Sequence, residues 1–197
     1  MAAVTGPLVP DADSDERLVQ ASLAGDLRAF ETLVERYRDV VYRVAARIAG
    51  EDDADDVVQD TFLRAYHRLE RYRGDGPFRA WLLRIAHNVA LSHAQREAGA
   101  IALSQVEAEP AEGRPSPVDQ VEAGERRRRL AIKVKGLSRQ HRTVLVLRDV
   151  EGLTYEEIAQ VTQAPLGSVK ARLHRARAEL IELLRANTYD WDLPRER

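Results

Sequence analysis

Lys170, Arg172, Arg175 and Arg177 lie in a stretch, residues 166–178, that contains four bases and no acid. Such a stretch suits a polyanion. Just before it, Thr154 to Glu157 forms a T-x-x-E capping box, which fixes the start of a helix by satisfying its free amides. From Gly152 to Arg177 the chain therefore reads as two short helices joined by a tight turn. Ile158 and Ala159 point inward, and the small Ala159 admits the next helix closely. Pro165 falls at or near the second helix start, where its missing N–H costs nothing. At about 100° per residue, Val169, Leu173, Ala176, Leu180 and Leu184 make a narrow core stripe. The opposite side presents Ala171, His174 and Arg175, with Ser168 near it and Lys170, Arg172 and Arg177 at its flanks. A short helix followed by a basic helix is how proteins place side chains in a DNA major groove, base readers central and phosphate contacts at the edges. The plainer alternative is the solvated face of an ordinary helical hairpin.

A second constellation surrounds the loop Arg73-Gly74-Asp75-Gly76-Pro77. Arg73, Phe78, Arg79, Trp81 and Asn88 mix basic, aromatic and amide groups, which suits single-stranded bases that need stacking and edge hydrogen bonds. Phe78 falls on a core stripe; for Trp81, core packing and function carry equal weight. Residues 51–60 hold six acids and no base. They lack the glycine and spacing of a calcium loop, so a helix start and a protein-docking face are the readings that fit. The five histidines show no metal-ligand spacing, and no nucleophile elbow, phosphate loop or dinucleotide fingerprint is present. The expectation is a non-enzymatic protein without metal or cofactor.

The elements that must position these groups are all helical. Hydrophobic residues are 44 % and charged residues 31 %, a globular balance, and the net charge is only −2. The distribution matters more: the acidic stretch, the four arginines 126–129 and the basic helix make the molecule dipolar. No apolar run reaches the ~20 residues that span a bilayer, and no signal segment opens the chain. The absence of cysteine suits a reducing cytoplasm. Periodicity predicts helices over 15–25, 27–49, 54–72 and 78–97, then 119–135, 139–150, 155–162 and 167–186. Residues 98–118 lose periodicity and carry three prolines and three glutamates. The fold expected is all-α: a disordered start (1–13), an N-terminal helical domain (14–97), a flexible linker (98–118), a C-terminal helix-turn-helix four-helix domain (119–186) and a tail (187–197) in which Tyr189 and Trp191 have the means to dock.

With these motifs in place, DADDVVQDTFLRAYHRLERYRGDGPFRAWLLRIAHNVA (53–90) resembles the core-binding and promoter-melting region of bacterial extracytoplasmic-function (ECF, group 4) sigma factors. LSRQHRTVLVLRDVEGLTYEEIAQVTQAPLGSVKARLHRARAEL (137–180) resembles their C-terminal DNA-binding region. Order and linker match too, so the resemblance covers about residues 14–186. It implies a promoter-specificity subunit for transcription initiation, acting in the cytoplasm in a stress response. Asp55, Asp56, Gln59, Asp60, Phe62 and Arg64 are then expected to dock on the clamp helices of the RNA polymerase largest subunit. Arg73, Gly74, Asp75, Arg79, Trp81, Asn88 and Ser92 would bind and melt the downstream promoter element. Ser168, Lys170, Ala171, Arg172, His174, Arg175 and Arg177 would bind the upstream element. Polymerase core, promoter DNA and an anti-sigma factor are the implied partners.

Three positions depart from the family pattern. Gln163 stands in the helix-turn-helix turn where glycine is usual, Thr162 replaces an apolar residue, and Ala171 offers only a methyl for a thymine contact. Two other functions compete. A conventional helix-turn-helix regulator needs a sensor or dimerisation domain, and neither a receiver pattern nor a heptad seam is present. An adaptor that mimics a sigma factor to sequester an anti-sigma factor has no need of the intact basic face.

Overall fold

The computed structural model describes residues 14–104 and 129–186, with side chains to residue 96 in the first span. Among them all regular structure is helical. The order is α1 (Asp15–Leu23), α2 (Leu27–Ile48), α3 (Ala54–His67), a 3-10 turn (Leu69–Arg71) and α4 (Phe78–Ser104), then α5 (129–136), α6 (Arg139–Leu145), α7 (Tyr155–Thr162) and α8 (Leu166–Arg185). The expected N-terminal segment, residues 105–128 and the tail from 187 lie outside the described residues.

Local chemistry explains the helix boundaries. Asp26 caps α2 by accepting from the amides of Arg28 at 2.9 Å and Ala29 at 3.4 Å. The capping box of α7 is complete: Thr154 Oγ1 accepts from the Glu157 amide at 3.2 Å, and Glu157 Oε2 from the Thr154 amide at 2.7 Å. Gly50, at φ 115°, ends α2 in a conformation that a side chain disfavours. Gln163 meets the same demand without being glycine: it caps α7 in the left-handed region at φ 53°, ψ 36°. That costs on the order of 1 kcal/mol. Thr162 answers its polar placement by donating from Oγ1 to the Ile158 carbonyl at 2.7 Å.

Three boundaries differ from the sequence expectation. The third helix stops at His67, and Leu69 turns into the core through a tighter 3-10 turn rather than running on to Tyr72. The expected linker begins late, because α4 continues to Ser104 through alanine-rich residues that favour helix and carry one glycine. The single helix expected over 139–150 instead passes from α6 into a π-helical turn, Val146–Val150, closed by the Glu151 amide on the Val146 carbonyl at 3.0 Å. The extra residue in that turn re-aims everything after it.

Helices α1 to α4 pack around Leu33, Val41, Val44, Val57, Phe78 and Leu82, and the C-terminal helices around Leu147, Leu153, Ile158, Val169 and Leu173. The two sets share one continuous apolar cluster. Their meeting point is α4, which is buried on two sides. Phe78, Leu82, Ile85 and Val89 face α2 and α3, as the periodicity predicts. Ala80, Leu83, His87, Ala90 and Ala94 form a second buried stripe roughly opposite. The C-terminal helices cover it: Ala80 lines a cleft with Gln160, His87 lines another with Arg139 and Arg172, and Arg139 donates to the Ala94 carbonyl at 3.4 Å.

His87 gives this seam a pH dependence. Burial pushes its imidazole down from 6.5 to about 4, with Arg139 and Arg172 as the charged groups lining the same cleft. The folded value lies below the unfolded one, so the unfolded chain binds the proton more readily. The associated stability is complete above about pH 7 and is lost as pH falls from 6.5 towards 4. At pH 5 the fold is expected to have about 2 kcal/mol less stability from this group than at pH 7. Urea unfolding at the two pH values checks it against His87→Gln, in which the loss should shrink; an identical loss in the variant would acquit His87.

Candidate nucleic-acid interface

Two separate faces carry the groups singled out in the sequence. The first is the outer side of α8. Lys170, Ala171, His174, Arg175 and Arg177 are exposed there, and Ser168 is half-buried. Its core stripe, Val169, Leu173 and Ala176, is buried. Arg175 returns its Nε to the Ala171 carbonyl at 3.3 Å, which lays the guanidinium along the helix with four donors spare. Lys170 Nζ sits 5.8 Å from the Tyr155 ring centroid. Arg177 forms a two-pronged pair with Asp149, Nε to Oδ2 at 3.0 Å and Nη2 to Oδ1 at 2.5 Å, which ties α8 to the π turn. Arg172 is half-buried and lines the cleft beside His87, on the flank of α8 nearest its core stripe.

The second face lies around the glycine loop. Tyr72 Oη donates to the Gly76 carbonyl at 2.8 Å and so ties the loop across its neck. Trp81 packs against Tyr72 and Phe78, with ring centroids 5.6 and 5.5 Å away. One side of Trp81 opens on a cleft of about 480 Å³ with Arg71, Arg73, Asp75 and Arg84. Trp81 also borders a second cleft of about 250 Å³ with Arg64, Arg68, Arg71, Arg84 and Asn88. An aromatic plate between two arginine-lined clefts can stack a base while cations hold its phosphates.

The residues of this set divide. Arg73, Asp75 and Trp81 share one cleft and Trp81 and Asn88 another, with Gly74 in the loop at φ 75°. Ser92 donates to the Asn88 carbonyl at 2.9 Å, so its proton is used within its own helix and its oxygen can only accept. Arg79 turns away from the loop and binds Glu151: its Nη2 donates to the Glu151 carbonyl at 2.8 Å and approaches the carboxylate at 3.4 Å. Arg68 and Arg71 were not among the expected residues, and Arg84, which helical spacing puts on the flank of Trp81 and Asn88, was given no role. Arg64, Arg68 and Arg71 recur at helical spacing, a signal that was present in the chain. Gln160 and Gln163, which also line these clefts, gave none.

The acidic helix α3 offers a third face. Asp55, Asp56 and Gln59 are exposed along one side, joined by Leu63 and by Tyr66, which helical spacing places on the buried side but which is 41 % exposed. Phe62 is only 8 % exposed and belongs to the core, so it braces the helix from within instead of meeting a partner. Arg64 pairs with Asp60 at 3.5 Å and faces the Trp81 cleft, on a different side from the acids. Among the described residues no cluster of His, Cys, Asp or Glu could hold a metal, and no helix is long and apolar enough to cross a membrane.

Residues 33–99 match the family model for Sigma-70 region 2, and residues 133–180 match that for Sigma-70 region 4. The ECF RNA polymerase sigma-E factor of Haemophilus influenzae is 34 % identical over 178 residues, covering 86 % of this chain and 94 % of that protein. The sigma-E factor of Escherichia coli K12 is 35 % identical over 173 residues, covering 83 % and 91 %. Among solved structures, CnrH in complex with the cytosolic domain of CnrY is similar over 90 % of this chain and 100 % of its own, with a TM-score of 0.68 and 32 % identity. The sigma factor RpoE, solved with the anti-sigma factor NepR from Bartonella quintana, shares the fold at a TM-score of 0.66 and 24 % identity, over 80 % and 98 %. With both regions matched in order and nearly the full length of these relatives spanned, the chain belongs to the ECF family of RNA polymerase sigma factors.

Proposed function

We propose that this sigma factor divides promoter recognition between its two nucleic-acid faces and meets polymerase core with a third, as two domains joined by the segment between α4 and α5. The observation that carries this reading is the Trp81 plate between arginine-lined clefts, in the same chain as an exposed basic recognition helix. In this reading α8 reads the upstream element in duplex form, with Ala171, His174 and Arg175 at base edges and Lys170, Ser168 and Arg177 at phosphates. Trp81 and Asn88, with Arg71, Arg73 and Arg84, take a flipped base of the downstream element and hold the strands apart. The exposed side of α3, Asp55, Asp56, Gln59, Leu63 and Tyr66, docks on the clamp helices of the polymerase largest subunit. An anti-sigma factor controls the protein. The similarity to CnrH, which was solved bound to the cytosolic domain of another protein, supports such a partner. Its place of action is the cytoplasm, with the polymerase.

The test is initiation in vitro. Polymerase core with this protein should start transcription from a subset of genomic fragments, and core that never initiates on any fragment would refute the reading. Within it, Arg175→Ala is expected to weaken upstream-element binding by about 1–3 kcal/mol and to relax base preference at one position. Binding to a panel of single-base variants measures this; a uniform loss with unchanged preference would move Arg175 to the phosphate contacts.

A further inference from the structure

A groove between α2 and α5 stands open among the described residues. Tyr42 and Ala46 of α2 line it on one side, Ala131 and Val134 of α5 on the other, around a cleft of about 230 Å³. Tyr42 and Ala131 are exposed, and Ile132, next along α5, is 59 % exposed. The surroundings are cationic. Arg47 and Lys135 line the groove. Arg142 lies against both, donating to the Arg47 carbonyl at 3.3 Å and to the Lys135 carbonyl.

These cations lack counter-charges. Arg47 donates to the Arg43 carbonyl at 3.2 Å, and the remaining acceptor of Arg142 is the Leu137 carbonyl at 3.1 Å. Arg43 is already paired with Glu151, and Glu51, which also lines the groove, pairs with none of the three. Burial, and Arg139 nearby, push the half-buried Arg142 guanidinium below its usual value, the mark of a charge without compensation. The groove therefore suits an occupant that brings an apolar side chain between carboxylates.

The chain carries such a segment. Residues 187–197 read NTYDWDLPRER, so Trp191 stands between Asp190 and Asp192, with Tyr189 and Leu193 beyond them. The segment also starts close by. The last turns of α8 lie against the end of α5, where Leu183 Cδ1 is 3.6 Å from the position of a Cβ on Gly136. From Gly136 back to Ala131 is about 8 Å along α5. The segment spans up to about 36 Å when extended, several times that distance.

We propose that the groove between α2 and α5 is the docking site of the chain's own C-terminal segment, with Trp191 in the cleft and Asp190 and Asp192 against Arg47 and Lys135. Long cationic side chains at the rim reach carboxylates on either side of an inserted ring while their stems cover it. The docked segment covers Tyr42 and supplies the negative charge that Arg142 lacks.

The chain has no cysteine, so Ala131→Cys and Leu193→Cys together give one defined pair in the full-length protein. A short bismaleimide is expected to bridge them within one chain, at a rate independent of protein concentration. Ala178→Cys with Leu193→Cys is the reference, since 178 is exposed on α8 within reach of an undocked tail. Docking should make bridging to 131 about tenfold faster than to 178, by raising the local concentration above that of a free tether. Lys135→Glu should remove most of this gain, and adding Asp192→Lys should restore it, which a merely misfolded variant would not do. Equal rates at 131 and 178, or a rate at 131 indifferent to Lys135→Glu, would overturn the proposal. Bridging between chains that rises with concentration would also overturn it, by giving the groove to a second copy.

Discussion

Phe78→Ala is expected to remove about 3–5 kcal/mol of folding stability, out of the roughly 5–15 kcal/mol that a domain possesses. Phe78 opens α4 directly after the glycine loop and is 1 % exposed. Its ring is packed by Tyr37, Tyr72 and Trp81 at centroid distances of 5.6, 5.5 and 5.5 Å. Alanine would leave a void where three aromatic rings converge, and the tilted and edge-on contacts, worth about 0.5–1.5 kcal/mol each beyond area, would go with it. Phe78→Leu keeps much of the volume and should cost far less. Equilibrium urea unfolding of the three proteins decides the matter; a loss under about 1 kcal/mol for alanine would mean that the site collapses around the void.

Trp81→Ala should act mainly on function. Its ring is half-buried, leaning on Phe78 and Tyr72 but bordering both arginine-lined clefts, so it serves packing and surface together. Stacking of a base on an aromatic ring is worth about 1–3 kcal/mol, so strand opening at a cognate promoter should fall by about 10- to 100-fold. Duplex binding through α8 should hardly change. Permanganate reactivity of promoter thymines, with polymerase core present, reads the opening directly. Trp81→Tyr retains a stacking plane and should recover most of it. An alanine variant with the wild-type footprint would show that the clefts take no base.

The sequence announced what depends on local order. The bounds of α7 were readable because a capping box and an acid-rich first turn leave little choice about where that helix begins. The stripe of α8 under its basic face was readable because leucine and valine recur at one angle. Gln163 stood out because a turn of that shape has a known steric demand, and the structure meets it in the left-handed region. The second buried side of α4 was not readable. Its alanines carry almost no hydrophobic periodicity, and what covers them lies more than 40 residues further along. The same distance hid Arg79: as a cation beside a glycine loop it resembled a DNA contact, and nothing nearby in sequence pointed to Glu151. Phe62 lies where helical spacing puts it, on the buried side of α3; only the family resemblance gave it a docking role.

The alanine stripe on α4 also bears on solubility. Large contiguous apolar patches on a protein surface promote association once they exceed a few hundred Å². The stripe of Ala80, Leu83, Ala90 and Ala94 is modest by itself, but α7 packs against α4 in the same continuous apolar cluster, with Ile158 and Val161 fully buried. Keeping the two sets of helices packed therefore keeps a larger apolar surface away from other copies of the chain. Enlarging those alanines would overpack the seam and so favour exposure of that surface.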